Sequence, residues 1–322
     1  MPFRISDATI FQTAVRNARL NRFSLAQIQA EIGSGKRINS LADDPSDARR
    51  ILDLRSASAS VAQFRRNVDS ARARLEPAEA ALASLTDSLT RLRELAVSAD
   101  IEEPQFDLIK PEVEQLYDEM LQLANTRTTY GFIFGGFVTD AAPFTKVGDF
   151  VDGVVDEATP DPDVVYSGDG GIVRIQIGEA TTIEVNVPGA AVFGGDFTAP
   201  AGTDPGRVDL FDVVREFRNR LEDPTDPAFA VPGPAEVIDD LDTALDQILE
   251  LRARIGASLN RLDATESRLQ SLEIVQEAER SRLEDVDFIS ASTKLAQREN
   301  IYQASLAVTA RVLQPSLLDF LR

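Results

Sequence analysis

The chain has 322 residues, 43% of them apolar, enough for a packed core in one elongated or two to three compact domains. Its formal charge is −20, from 53 acidic and 33 basic residues, which repels nucleic acid or an anionic membrane and leaves basic partners or metal ions open. Cysteine, histidine and tryptophan are all absent, which excludes disulfides and thiol chemistry and removes the commonest general base and metal ligand.

The opening "MPFRISDATIFQ" lacks the basic cluster and apolar run of a secretory signal. No segment approaches the ~18 apolar residues of a membrane helix, so a chain that leaves the cell needs another route. Phe11, Ala18, Leu25 and Ile32 are seven apart, with Ala14, Asn21 and Ile28 three places later, so the first segment is a heptad helix with Asn21 its polar exception. Next comes "AEIGSGKRINSLADDPSDARR". A phosphate-holding P-loop needs a glycine at position 30 and a hydroxyl at position 37, where Ala30 and Arg37 stand. The stretch is better explained as punctuation: Gly33 and Gly35 stop one helix, Asp44 caps the next, Pro45 occupies its first turn, and Asp47 adds charge favourable to its amino end.

From residue 54 two apolar series run unbroken, Leu54, Val61, Val68, Leu75, Leu82, Leu89, Ala96 and Ala57, Phe64, Ala71, Ala78, Leu85, Leu92, Ala99, which predict a long coiled-coil helix. Pro77 deletes one helical hydrogen bond but lies outside both series, so it predicts a kink rather than an end. A shorter helix is expected over about 111–125, opened by Pro111 and striped by Val113, Leu116, Met120 and Leu123.

Between about 130 and 206 heptads vanish, and 12 acidic residues face two basic ones from Asp140 to Asp204. Val173, Ile175, Ile177 and then Ile183, Val185, Val187 alternate with polar residues, predicting a hairpin with one buried face. "DPDVVYSGDGG" fails as a calcium loop, because Val165 and Tyr166 stand where a ligand and a glycine are needed. Helical pattern returns over 208–221, and a second rod follows with Leu241, Ile248, Ile255, Leu262, Leu269 and Leu283 in heptad spacing, Gln276 alone interrupting it. Leu295, Tyr302, Leu306, Leu313, Leu317 and Phe320 carry a last stripe that no later segment covers. The fold class is therefore α+β: a long antiparallel coiled-coil helical rod built from both chain ends, with an inserted small β-domain.

"LAQIQAEIGSGKRINSLADDPSDARRILDL", "RLRELAVSAD" and "SRLEDVDFISASTKLAQRENIYQASLAVTARVLQPSLLDFL" resemble the signature blocks of the flagellin family of bacterial flagellar axial proteins. "LANTRTTYGFIFGGFVTDAAPF" and "LQPSLLDFL" are more similar to its members that join hook to filament than to filament-forming flagellin, the alternative. Pro77 and the acidic insert depart from the family pattern. The resemblance implies five parts: an assembly helix over 1–40, rod helices over 41–135 and 207–288, a β-rich outer domain over 136–206, and a second assembly helix over 289–322. It implies a structural, non-enzymatic subunit without cofactor or metal, exported through the flagellar type III apparatus and located on the extracellular flagellum. Its expected partners are copies of itself in a ring, a neighbouring hook-associated protein, flagellin, and a small export chaperone on the C-terminal helix, with neither nucleic acid nor membrane. The residues expected at these interfaces are Phe11, Leu25, Ile28, Ile32, Leu295, Tyr302, Leu306, Leu313, Leu317 and Phe320. Their covering surfaces are expected on neighbouring subunits, so the ends of the free chain would order only on assembly.

Overall fold

Along the chain, long helices precede and follow a short run of strands in a computed structural model that describes residues 7–101, 106–146, 164–194, 208–222 and 234–320. In chain order they are α1 (Asp7–Ser34), α2 (Pro45–Ile101), α3 (Phe106–Ala124), β1 (Arg127–Thr128), β2 (Gly131–Phe132), β3 (Phe144–Lys146), β4 (Val164–Tyr166), β5 (Arg174–Gly178), β6 (Thr181–Glu184), α4 (Gly189–Phe193), α5 (Leu210–Glu222), α6 (Pro234–Glu284) and α7 (Phe288–Phe320). They form two compact units, a terminal unit of Met1–Val61 with Gln270–Arg322 and a central unit of Ala62–Leu269.

In the central unit the heptad arithmetic becomes a core. Val68, Ala71, Leu75, Ala78, Leu82, Leu85, Leu89, Leu92 and Ala96 of α2 are all buried, as are Leu241, Ile248, Ile255, Leu262 and Leu269 of α6. The two helices run antiparallel, since Arg72 pairs with Asp263 (2.6 Å) and Glu266 (2.7 Å), Arg252 with Glu79 (2.9 Å), and Arg93 with Asp242. Each arginine stem lies beside the apolar seam while its fork reaches a carboxylate across it. Helix α2 passes through Pro77 without ending, as expected of a proline off the seam.

Pro111 does not open its helix. Helix α3 starts at Phe106, because Ile109 is buried in one stripe with Val113, Leu116 and Met120, and burial of that extra turn outweighs the lost amide. The hairpin forms as the alternation predicts: β5 and β6 are antiparallel, Arg174 opposite Glu184 and Ile175 opposite Ile183, with Ile177, Ile183 and Val185 buried. The other strand pairs, β1–β2 and β3–β4, are also antiparallel. Beneath the strands lies an aromatic cluster in which Phe144 meets Tyr166 (4.9 Å between ring centroids), Phe193 (4.8 Å) and Phe211 (5.7 Å). Gly189 lets backbone reach these rings, since a Cβ there would lie 2.7 Å from Phe144 and Tyr166. Of the rejected calcium stretch, Asp161 and Asp163 lie outside the described residues. Asp169 accepts hydrogen bonds from the Phe137 and Gly171 amides (2.6 and 2.9 Å).

Asp209 caps α5, its Oδ1 accepting from the Phe211 and Asp212 amides at 2.9 and 3.2 Å. Burial, and next the charge of Asp212, push its carboxyl up to about 6 against those amides. A carboxyl raised in the fold stabilises below its unfolded pKa of 3.8 and loses that contribution as pH rises through about 6. Asp209→Asn keeps the accepting oxygen and removes the charge. Denaturant titration should find the variant more stable at pH 7.5 by on the order of 1–2 kcal/mol, with the gain vanishing below about pH 4.

Candidate assembly surface

The terminal unit starts from its punctuation. Helix α1 stops at Ser34 because Gly35 takes φ 71°, a left-handed angle that costs glycine nothing. Helix α2 starts at Pro45, with Asp44 Oδ1 accepting from the Ser46 and Asp47 amides, each at 3.1 Å. Asp287 likewise caps α7, accepting from Ile289 (3.1 Å) and Ser290 (3.2 Å).

The two turns meet. Arg37 N–H donates to the Glu284 carbonyl (2.7 Å) and Val286 N–H to the Gly35 carbonyl (3.0 Å), with Lys36 opposite Asp285 as an antiparallel bridge. The exit of α1 is thus stitched to the entry of α7, and the two helices pack along each other. Below the stitch, Ile38, Ala48 and Ile51 form a small core against Leu283. Arg37 Nη2 binds both Asp47 Oδ2 (2.7 Å) and the Leu283 carbonyl (2.9 Å).

At the centre of the junction sits Glu284, the last residue of α6, with 0% of its surface exposed. Its Oε1 receives Lys36 Nζ (2.5 Å) and Arg55 Nη2 (2.6 Å), and its Oε2 receives Arg280 Nη1 (2.6 Å). Burial alone would raise its pKa, but hydrogen bonds from Lys36, Arg280 and Arg55 outweigh burial and hold it near 2. A carboxyl lowered in the fold stabilises above its unfolded pKa of 4.5 and loses that contribution only as pH falls through about 2. The Lys36 contact should therefore persist at pH 4, where exposed carboxylates are already titrating. A flat amide-exchange profile for α1 from pH 7 to 4, after correction for intrinsic rates, would confirm it.

Of the residues expected at partner surfaces, Ile28 is buried and Leu25, Ile32, Leu295 and Tyr302 are half-buried, while Leu306 is 46% exposed. On α1, Leu25, Ile28 and Ile32 share one face with the half-buried Ala14, Ala18 and Asn21, so Asn21 is a seam residue despite its polarity. From Leu25 to Ile32 and from Leu295 to Tyr302 the described part of the stripes thus has a covering surface within the chain, the facing helix. Phe11, Leu313, Leu317 and Phe320 lie in α1 and α7, but their side chains are outside the described residues.

A different apolar set stays in water: Leu20 and Phe23 on the far side of α1, Ile274 and Val275 on α6, and Phe288, Ile289, Ile301 and Val308 on α7. Phe23 is 72% exposed and Ile289 83%. Heptad counting missed these residues because they belong to no seam. The signal that could have found them is an aromatic or branched residue on the polar side of a helical wheel. Charge is also divided unevenly. The terminal unit holds 14 acidic and 15 basic residues, so it is +1, whereas the central unit, with 39 and 18, is −21. A surface built on the terminal unit brings like copies together with little net repulsion. Among the described residues no helix is long and apolar enough to cross a membrane.

Residues 5–133 match the family model of the bacterial flagellin N-terminal helical region and residues 238–321 that of the C-terminal helical region, together about two thirds of the chain. Flagellar hook-associated protein 3 of Salmonella typhimurium is 24% identical over 315 residues, 94% of each chain. Flagellin of Bacillus subtilis is 27% identical over 305 residues, 91% of each. Among solved structures, a putative flagellar hook-associated protein from Vibrio parahaemolyticus superposes with a TM-score of 0.61 at 17% identity, covering 76% of this chain and 100% of that one. The flagellar junction protein from Legionella pneumophila does so with 0.57 at 17%, covering 73% and 99%.

Proposed function

Because the chain belongs to the bacterial flagellin family, we propose that it is the structural subunit joining hook to filament, and that it polymerises into a ring through its terminal helices. The observation that carries this is the end-to-end likeness to hook-associated protein 3, over 94% of both chains. The terminal unit supports it physically. Its two helices cover each other's seams as far as Ile28, Ile32, Leu295 and Tyr302, and the apolar residues still exposed, Leu306 among them, are what a further copy or a neighbouring flagellar subunit would bury. The role is non-catalytic and sited on the extracellular flagellum, reached through the type III apparatus. A small export chaperone covers the C-terminal stripe of Leu306, Leu313, Leu317 and Phe320 before assembly.

Electron microscopy of cells lacking the gene tests this. Hooks without filaments, with filament protein shed into the medium, are the expected result, and normal filaments would sink it. A filament-forming role is the second reading, favoured by the likeness to B. subtilis flagellin over 91% of both chains. Polymer length separates the two: purified junction subunits stop at short assemblies, whereas a flagellin elongates into filaments of indefinite length.

A further inference from the structure

We infer that Glu284 is a latch that holds the exit of α1 against α2 and α6, and so positions the α1–α7 pair. The latch closes only when both ends of the chain are present. Three cations converge on this one carboxylate, and they come from different segments: Lys36 from the turn after α1, Arg55 from α2, and Arg280 from α6. Without Glu284 they would stand as like charges with no shared counter-charge, and Lys36, the one on the α1 side and 41% exposed, would turn out into solvent.

The neighbouring charges are already committed, Arg280 also to Glu277 and Arg37 to Asp47, so among the described residues none is placed to substitute. Glu284 itself is fully covered, in part by Lys36 and Arg55, which are 41% and 50% exposed, so its separation from water depends on those cations staying in place. The backbone stitch adds to the dependence, since Arg37 N–H takes the carbonyl of this same residue.

Lys36 and Glu284 are 248 positions apart, and every partner of the carboxylate except Arg280 lies in the first 55 residues. A chain whose N-terminal part alone has folded therefore has Lys36 and Arg55 but no counter-charge. Resting on the junction reading above, the consequence is that a partly emerged chain cannot present α1 in its assembly geometry. The latch is a check on completeness built from one carboxylate.

Hydrogen exchange of the full-length monomer tests this with wild type, Glu284→Gln, Lys36→Met and the double variant. Glu284→Gln should speed exchange in α1 and α7 at least tenfold and leave the central unit unchanged. Lys36→Met breaks the same contact from the α1 side and should speed exchange there likewise, and the double variant should lose little more protection than Glu284→Gln alone. Unchanged exchange in Glu284→Gln would overturn the latch. So would losses that simply add in the double variant, because Lys36 and Glu284 would then act separately rather than through one contact. Should Glu284→Gln fail to fold, Lys36→Glu makes the same test by inverting the cation on the α1 side, with the same tenfold acceleration expected. The readout is taken on the monomer, so its failure leaves the junction role standing, and failure of the gene-deletion test leaves the latch standing.

Discussion

Phe23→Asp should leave a monomer that melts like the wild type and that no longer self-associates. The ring is 72% exposed in the free chain, so its removal costs the monomer only a few tenths of a kcal/mol. In an assembly it would be covered, and burying a phenyl ring is worth roughly 1.5–3 kcal/mol while an unpaired carboxylate in the same place costs several more. A loss of about 3 kcal/mol per subunit raises the concentration needed for assembly about 100-fold, at about 1.4 kcal/mol per factor of ten. Sedimentation of wild type, Phe23→Asp and the conservative Phe23→Tyr reads this directly, and Phe23→Tyr should stay close to wild type. A monomer whose melting point falls by many degrees would mean that the ring is core. Unaltered assembly would mean that this face of α1 is not used.

The largest effect on the fold is expected at Ile248, fully buried on α6 in the central seam. Ile248→Asp places a carboxylate in the closed seam, one turn from Arg252, whose fork is already held by Glu79 (2.9 Å), and should cost at least ~4 kcal/mol, a large share of the total stability of a domain. Ile248→Val removes one methylene and should cost roughly 0.5–1.5 kcal/mol. Three of the four tyrosines, Tyr117, Tyr130 and Tyr166, belong to the central unit and Tyr302 to the terminal one. In a chain without tryptophan, tyrosine emission therefore follows chiefly the central unit through a denaturant titration. An Ile248→Asp variant with a wild-type midpoint would refute the seam.

What could be read from the sequence was whatever short-range chemistry decides. Gly35 and Asp44 end and begin helices through angles and hydrogen bonds contained within four residues, so their identities suffice. The heptads of α2 and α6 are legible because a period is a local property even when its partner is distant. Pro111 misled because a proline favoured at a helix start is also tolerated deeper in when an apolar residue upstream, here Ile109, rewards the extra turn. The seam between α1 and α7 was recognised as two stripes but not as one pair. Nothing within Leu25, Ile28, Leu295 or Tyr302 says whether its cover comes from the same chain or another. Glu284 was not legible at all. It is one glutamate among 53 acidic residues, and its singularity comes only from Lys36 and Arg55 arriving from the far end of the chain.

The arginine pairs along the central seam bear on how this chain avoids error when it refolds. A heptad interface looks alike to itself after a slip of seven residues, about 10.5 Å at 1.5 Å per residue, so apolar contacts alone leave misaligned helices as near-equal traps. After such a slip Glu79 would face Leu245 or Leu259 and Arg93 would face Ala235 or Leu249, while Arg72 would regain a carboxylate, Glu273, in one direction only. The arginine pairs act as the teeth of a vernier: a shifted pairing strands at least two of the three forks at once, which sets the true register below its neighbours in energy.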